Sequence, residues 1–133
     1  MSRWTVGALL LLLSACACRA PAPQLADYCV VVAAMNPDAD RLNRLMDAFA
    51  TSRGLKIDIS PTTQSYTDAA GPTEISVDRM GPLGAVITLF NPADGPSAHQ
   101  APLKEYVDRV VTGRWPVRRC QDVEGFKGPW RYR

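Results

Sequence analysis

A continuous apolar run at residues 28–35 constrains the fold more than any other stretch of the chain. Three valines form its middle, and no charged side chain interrupts it. Side chains along a strand alternate between the two faces of a sheet, so a strand that is apolar at successive positions must be covered on both faces. The run therefore predicts a central strand.

The residues that follow predict an amphipathic helix. Asn36 is a favourable N-cap, and Pro37 suits the first helical position. Asp38 and Asp40 would lie at the positive end of the helix dipole, and Gly54 would end the helix. The apolar stripe at helical spacing consists of Leu42, Leu45, Met46 and Phe49.

Further strands and a second helix are predicted downstream. Residues 55–60 alternate between apolar and polar side chains, which is typical of a half-exposed edge strand. Residues 61–72 are rich in Thr, Ser, Asp, Gly and Pro and predict a loop, whereas residues 73–90 predict a hairpin with a buried second strand. A second helix is expected at residues 102–113.

The predicted element order is β-α-β-β-β-α with a C-terminal tail. We therefore expect an α/β (α+β) fold, a two-layer sandwich of two helices on a four-stranded mixed sheet, with a parallel crossover and the strand order two-one-four-three. With strands one and four parallel, the Asn-Pro pairs at 36–37 and 91–92 would share one sheet edge, where ligands often bind. General turn chemistry explains Asn-Pro more simply.

The N-terminus carries a different signal. Arg3 precedes an apolar run at residues 6–13, and the run ends in Leu-Ser-Ala-Cys at residues 13–16. This pattern resembles a bacterial lipoprotein signal peptide with its lipobox. The run is too short for a membrane span, which needs about 20 apolar residues. The resemblance implies cleavage before Cys16, diacylglycerol on its thiol and acylation of its amine, for example by palmitate.

This resemblance divides the chain into segments. The prediction is a signal peptide at residues 1–15, a lipidated cysteine and flexible tether at 16–27, a globular domain at 28–120, and a basic aromatic tail at 121–133. The resemblance implies attachment to the cell envelope through the lipid anchor. Ala17 stands where an aspartate would indicate inner-membrane retention, which favours the outer membrane, facing the periplasm.

Three cysteines remain after lipidation, and two are expected to form a disulfide, because disulfides persist in oxidising compartments. Cys18 lies in the tether. If strand four runs parallel to strand one, the second helix returns to the edge where Cys29 begins its strand, and Cys120 follows that helix. We therefore predict a Cys29–Cys120 bridge.

Charge is distributed unevenly along the predicted mature chain. Residues 16–113 carry eight basic and eleven acidic side chains, whereas residues 114–133 carry six basic and two acidic ones. Arginine beside aromatic residues can grip an anionic partner, although aromatic side chains more often pack onto their own domain. The residues predicted to bind a partner are Arg118, Arg119, Trp130, Arg131, Tyr132 and Arg133.

The sequence contains no catalytic motif and no pattern of metal or cofactor ligands. His99 is the single histidine and is interpreted as a solvent-exposed loop residue. We favour a non-enzymatic lipoprotein, of accessory, inhibitor or immunity type, that acts through an envelope protein or an anionic polymer and not through nucleic acid. The alternatives are a small-ligand or peptidoglycan-binding module, and a small hydrolase that uses His99 near Asp94 or Ser97.

Overall fold

An antiparallel sheet of six strands forms the centre of the molecule in the computed structural model, which describes residues 25–92, 95–126 and 131–132. The strands are β1 (Leu25–Val32), β2 (Lys56–Ile59), β3 (Thr63–Thr67), β4 (Glu74–Arg79), β5 (Ala85–Phe90) and β6 (Val117–Arg119). Their order is β2-β3-β4-β5-β1-β6, and every neighbouring pair is antiparallel. A short seventh strand, β7 (Arg131–Tyr132), pairs parallel with β1.

Two helices pack on one face of this sheet. They are α1 (Asp38–Ser52) and α2 (Gln100–Tyr106), and α2 continues into a π-helical turn (Val107–Val111). Short 3₁₀ turns span Gly81–Leu83 and Cys120–Asp122. No helix within the described part of the chain is long and apolar enough to cross a membrane.

The main core lies between the helices and the sheet. The sheet contributes alternate side chains of its central strands, and the helices contribute their apolar stripes. The fully buried members include Leu42, Met46, Ile75, Ile87, Leu89, Leu103 and Val107. Tyr106 joins the two helices, because its hydroxyl donates to the Leu45 carbonyl at 2.8 Å and its ring lies 5.1 Å from that of Phe49.

The π-helical turn follows from the spacing of the second apolar stripe. Leu103, Val107 and Val111 are fully buried and lie four residues apart. Each step of four residues in an α-helix overshoots a full turn by about 40°, so a regular helix would rotate Val111 away from the sheet. The Thr112 N–H donates to the Val107 carbonyl five residues back, and the wider turn keeps the stripe on one face.

The opposite face of the sheet is covered at its centre by the chain after β6. Cys29 is joined to Cys120, with Cα atoms 5.5 Å apart, and a second apolar cluster forms around this bridge with Val31, Val86 and Val123. Val30 and Val31 are both buried, on opposite faces. The expectation that β1 is covered on both faces is thus confirmed.

The fold is α+β, with two helices against a sheet, but the predicted four-stranded mixed sheet was wrong in detail. β4 and β5 form the expected hairpin, with Glu74 opposite Phe90. The predicted parallel crossover is absent: β1 is flanked by β5 and β6, and α1 leads to the far edge instead. There β2 pairs with β3, because a short turn makes local hairpin pairing favourable.

β3 lies within the segment predicted as a loop. Its inward side chains are Gln64 and Tyr66, both buried, so the strand has a single apolar residue facing the core. Asp47 of α1 accepts from Gln64 Nε2 at 3.0 Å and from the Tyr66 hydroxyl at 2.8 Å. The polarity of the segment is therefore offset by a partner that the local sequence does not reveal.

A glycine allows the turn before β5 to touch the end of β1. Gly84 has φ +98°, and a Cβ atom there would lie 2.2 Å from the Val32 carbonyl oxygen and 3.0 Å from the Ala34 nitrogen. This position therefore requires glycine, both for its backbone angle and for its space.

Candidate functional site

The outer edge of β1 gathers most of the residues predicted to bind a partner. β6 places Arg118 opposite Val31 and Arg119 opposite Val30. β7 aligns the backbones of residues 131–132 with the start of the same strand, so Arg131 and Tyr132 reach this edge. Trp130 and Arg133 lie outside the described residues.

The two arginines of β6 are exposed but point to opposite faces of the sheet, because they are neighbours on a strand. Arg119 lies on the helix face, and its guanidinium forms a two-pronged ion pair with Asp122, at 2.9 and 3.3 Å. Arg118 lies on the disulfide face and makes no ion pair with any described residue. The predicted cations therefore bracket the edge instead of forming one patch.

A pocket of about 390 Å³ opens between this edge and the second helix. One wall is the start of β1, including Tyr28, and Arg119 forms part of the rim. The other wall is the polar flank of α2 and its π-helical turn, with Lys104, Asp108 and Thr112 four residues apart. These three residues directly follow the buried stripe, so the π-helical turn aligns them as well.

The pocket walls combine both charges with hydroxyl groups. Lys104 Nζ lies 2.7 Å from Asp108 Oδ2, in an exposed pair that contributes little to stability. Burial raises the pKa of the Tyr28 phenol, and the negative charge of Asp108 raises it further. Tyr28 therefore stays protonated and can donate a hydrogen bond at neutral pH. The arrangement suits a polar ligand that both donates and accepts. Sequence analysis missed this pocket, although the four-residue spacing of its helix wall was visible.

His99 is buried, with 7% of its surface exposed, so its interpretation as a solvent-exposed residue was wrong. Arg53 Nε donates to His99 Nδ1 at 3.2 Å, and Arg53 also donates to the Ala98 carbonyl at 3.1 Å. The Nδ1 atom must therefore be the acceptor, and His99 Nε2 donates to Asp68 Oδ2 at 2.9 Å. Both ring nitrogens are occupied by the protein.

Other polar groups around His99 also bond among themselves. Ser97 Oγ lies 2.7 Å from Thr73 Oγ1 and accepts from the His99 backbone N–H at 3.1 Å. The Ala70 N–H is the main cause, and the bond with His99 the second, of a lowered pKa for Asp68. The cluster ties the end of α1, the β3–β4 loop and the start of α2 together. Asp94, the other proposed neighbour, lies outside the described residues.

The shared Asn-Pro edge predicted as a ligand site is not formed. β1 and β5 are antiparallel, so the pairs 36–37 and 91–92 lie at opposite ends of the sheet. Asn36 Oδ1 accepts from Arg79 at 3.3 Å, and Asn91 Nδ2 donates to the Gly95 carbonyl at 2.9 Å. Both amides therefore have local structural roles. Within the described ranges, no group of three His, Cys, Asp or Glu side chains could hold a metal ion.

The lipobox-like segment and Cys16 fall among residues 1–24, outside the described part of the chain. Comparisons with protein-family models, with curated proteins and with solved structures found no match for this chain.

Proposed function

We propose that this chain is an envelope lipoprotein that acts by binding a protein or an anionic polymer, as an accessory, inhibitor or immunity protein would. The anchor rests on the lipobox-like residues 13–16, with the lipid on Cys16. The Cys29–Cys120 bridge supports export, because disulfides persist in oxidising compartments such as the periplasm. Ala17 favours the outer membrane as the location.

The observation that carries the binding proposal is the convergence of cations on the outer edge of β1. Arg118 and Arg119 flank that edge on its two faces, and the backbone of Arg131 runs along it. Guanidinium groups bind carboxylates and phosphates through paired hydrogen bonds. The exposed pair between Arg119 and Asp122 is weak enough to exchange for a bond to a partner. An anionic segment along this edge would therefore meet a cation on each face.

The geometry around His99 supports binding over hydrolysis. A general base needs a ring nitrogen that can take a proton from the reacting group. Both nitrogens of His99 are hydrogen-bonded to Arg53 and Asp68, and the Ser97 hydroxyl bonds to Thr73. This cluster has the geometry of a structural contact between three segments.

Charge reversal at one arginine tests the partner-binding proposal. The variant Arg118→Glu should lose its partner in captures from native membranes, whereas Arg41→Glu, on the exposed side of α1, should retain it. Raising the salt concentration should weaken the wild-type capture, because exposed charges are screened beyond about 10 Å at 0.1 M. Equal capture of the same partner by Arg118→Glu and the wild-type protein would refute the proposed edge.

The anchor has its own test. The variant Cys16→Ser should accumulate as an unprocessed precursor that carries no lipid. Mass spectrometry of the wild-type protein should find acyl chains on Cys16. A wild-type chain with an unmodified N-terminus would contradict this part of the proposal.

The edge pocket supports a second candidate, a small-ligand or peptidoglycan-binding module. Its volume of about 390 Å³ lies within the range of small-molecule sites, and Tyr28, Lys104 and Thr112 offer hydrogen bonds. Titration with peptidoglycan fragments should then show saturable binding. Tyr28→Phe, which keeps the ring but removes the donor, should weaken it about tenfold. Binding that ignores Tyr28→Phe would exclude this pocket.

A further inference from the structure

β2 is an open edge at the end of the sheet away from the proposed partner site. Its one sheet neighbour among the described residues is β3. Ile59 is 73% exposed, more than any other large apolar side chain in the described part of the chain. An edge strand with an exposed apolar residue is a template for pairing with another strand.

The backbone of β2 is oriented for such pairing. The Ser60 N–H donates to the Thr63 carbonyl at 2.8 Å, which makes these two residues a hydrogen-bonded pair. Bonded and non-bonded positions alternate along antiparallel strands. Asp58 therefore directs its backbone groups toward β3, whereas Ile57 and Ile59 direct theirs outward, away from the sheet.

The side chains of this edge are complementary to themselves. Leu55, Ile57 and Ile59 face the helix side, and Lys56 and Asp58 lie exposed on the other face. The charge pattern is therefore symmetric about Ile57. We propose that two copies of this chain pair antiparallel through β2, with Ile57 opposite Ile57 of the second copy, joining the two sheets into one.

In this register, every side chain on the edge meets a suitable neighbour. Lys56 of each copy lies opposite Asp58 of the other, at the positions where antiparallel side chains are closest. Leu55 lies opposite Ile59, which covers the exposed isoleucine. Ile57 exchanges both backbone hydrogen bonds with its counterpart.

The charges also exclude the neighbouring registers. Sliding the copies by two residues keeps each side chain on its face but places Lys56 opposite Lys56, or Asp58 opposite Asp58. Like charges directly opposite each other destabilise a strand pair. This selection of one register by the chain's own charges is the reason for choosing a second copy, and not a foreign strand, as the occupant.

Charge exchange between two tagged copies tests the pairing. The full chain is expressed with two different C-terminal tags, and one tagged form is used to capture the other from solubilised membranes. The wild-type pair should be captured. Two copies of Lys56→Asp, or two copies of Asp58→Lys, should be captured about tenfold less or worse. A mixture of Lys56→Asp with Asp58→Lys restores unlike charges at both contacts and should be captured as well as the wild-type pair.

The mixed pair separates this contact from misfolding and from chance residence in one micelle, since neither would be restored by mixing. Arg41→Asp and Arg118→Glu serve as controls and should leave self-capture unchanged, because neither residue lies on β2. Three outcomes would overturn the proposal: no capture of the wild-type pair, equal capture of all combinations, or a mixed pair as weak as the single variants.

Discussion

Replacing Gly84 by alanine should unfold much of the protein's stability margin, because two separate costs fall on this residue. Its φ of +98° lies in a region that side chains rarely adopt, at a cost of about 1–3 kcal/mol. The added Cβ would also lie 2.2 Å from the Val32 carbonyl oxygen, so one of the two backbones must move by about 1 Å. Overpacking of this kind costs about 1–3 kcal/mol. We expect a total loss of about 3–5 kcal/mol.

Gly81 in the same turn provides a matched control. Its φ is +57°, in the left-handed helical region, and a Cβ there would meet nothing within 4 Å. Gly81→Ala should therefore cost about 1 kcal/mol. Urea unfolding followed by circular dichroism measures both variants under oxidising conditions. If Gly84→Ala lies within about 1 kcal/mol of Gly81→Ala, the close approach to β1 does not constrain the fold, and the reasoning fails.

Three further outcomes follow from contacts elsewhere in the fold. Cys29→Ser with Cys120→Ser should lower the free energy of unfolding by about 4–5 kcal/mol in the chain-entropy model, because the bridge links residues 91 apart; reductant should reproduce the loss in the wild-type protein and leave the double variant unchanged in urea unfolding. Asp47→Ala should cost about 2–4 kcal/mol in the same assay, since it removes the acceptor of two side-chain hydrogen bonds; a loss below 1 kcal/mol would mean that water replaces the carboxylate. Burial, and then the bond to Asp47, raise the pKa of Tyr66 above the value of 10.0 in the unfolded chain. The stabilisation is complete below pH 10 and should decline as the pH rises further, because the unfolded chain releases this proton first; Tyr66→Phe should reduce that decline in a pH series of unfolding free energies.

The elements that could be predicted are those whose signal is local. The run containing Val30 and Val31 required cover on both faces, and any fold that satisfies it must have layers or clusters on each side of β1. The first helix and the β4–β5 hairpin were likewise specified by residues adjacent in the chain. Their periodicity and turn residues leave few alternatives.

β3 and the setting of His99 could not be predicted, because their partners are distant in sequence. The inward amide of Gln64 is tolerated because of Asp47, which lies 17 residues earlier. His99 is buried because Arg53 and Asp68, 46 and 31 residues away, satisfy its two nitrogens. A single polar residue in a loop contains no record of such partners.

The disulfide shows that a correct contact can follow from an incorrect topology. The prediction assumed that strand four runs parallel to strand one, which is wrong. The actual cause is β6, a strand of three residues that pairs antiparallel with β1 and places Cys120 beside Cys29. Three residues are too few for a periodic signal. The bridge was predictable from the export signal and the cysteine count, whereas the strand that positions it was not.

The bridge also makes the two proposed contacts separable. Cys120 follows β6 directly, so reducing the bridge should loosen the edge that carries Arg118 and Arg119. β2 lies at the other end of the sheet and is held by β3 alone within the described residues. Where reduced protein keeps its circular dichroism spectrum, capture of the anionic partner should fall while self-capture through β2 persists. Loss of self-capture under those conditions would place the pairing surface near the disulfide instead and would contradict the β2 register.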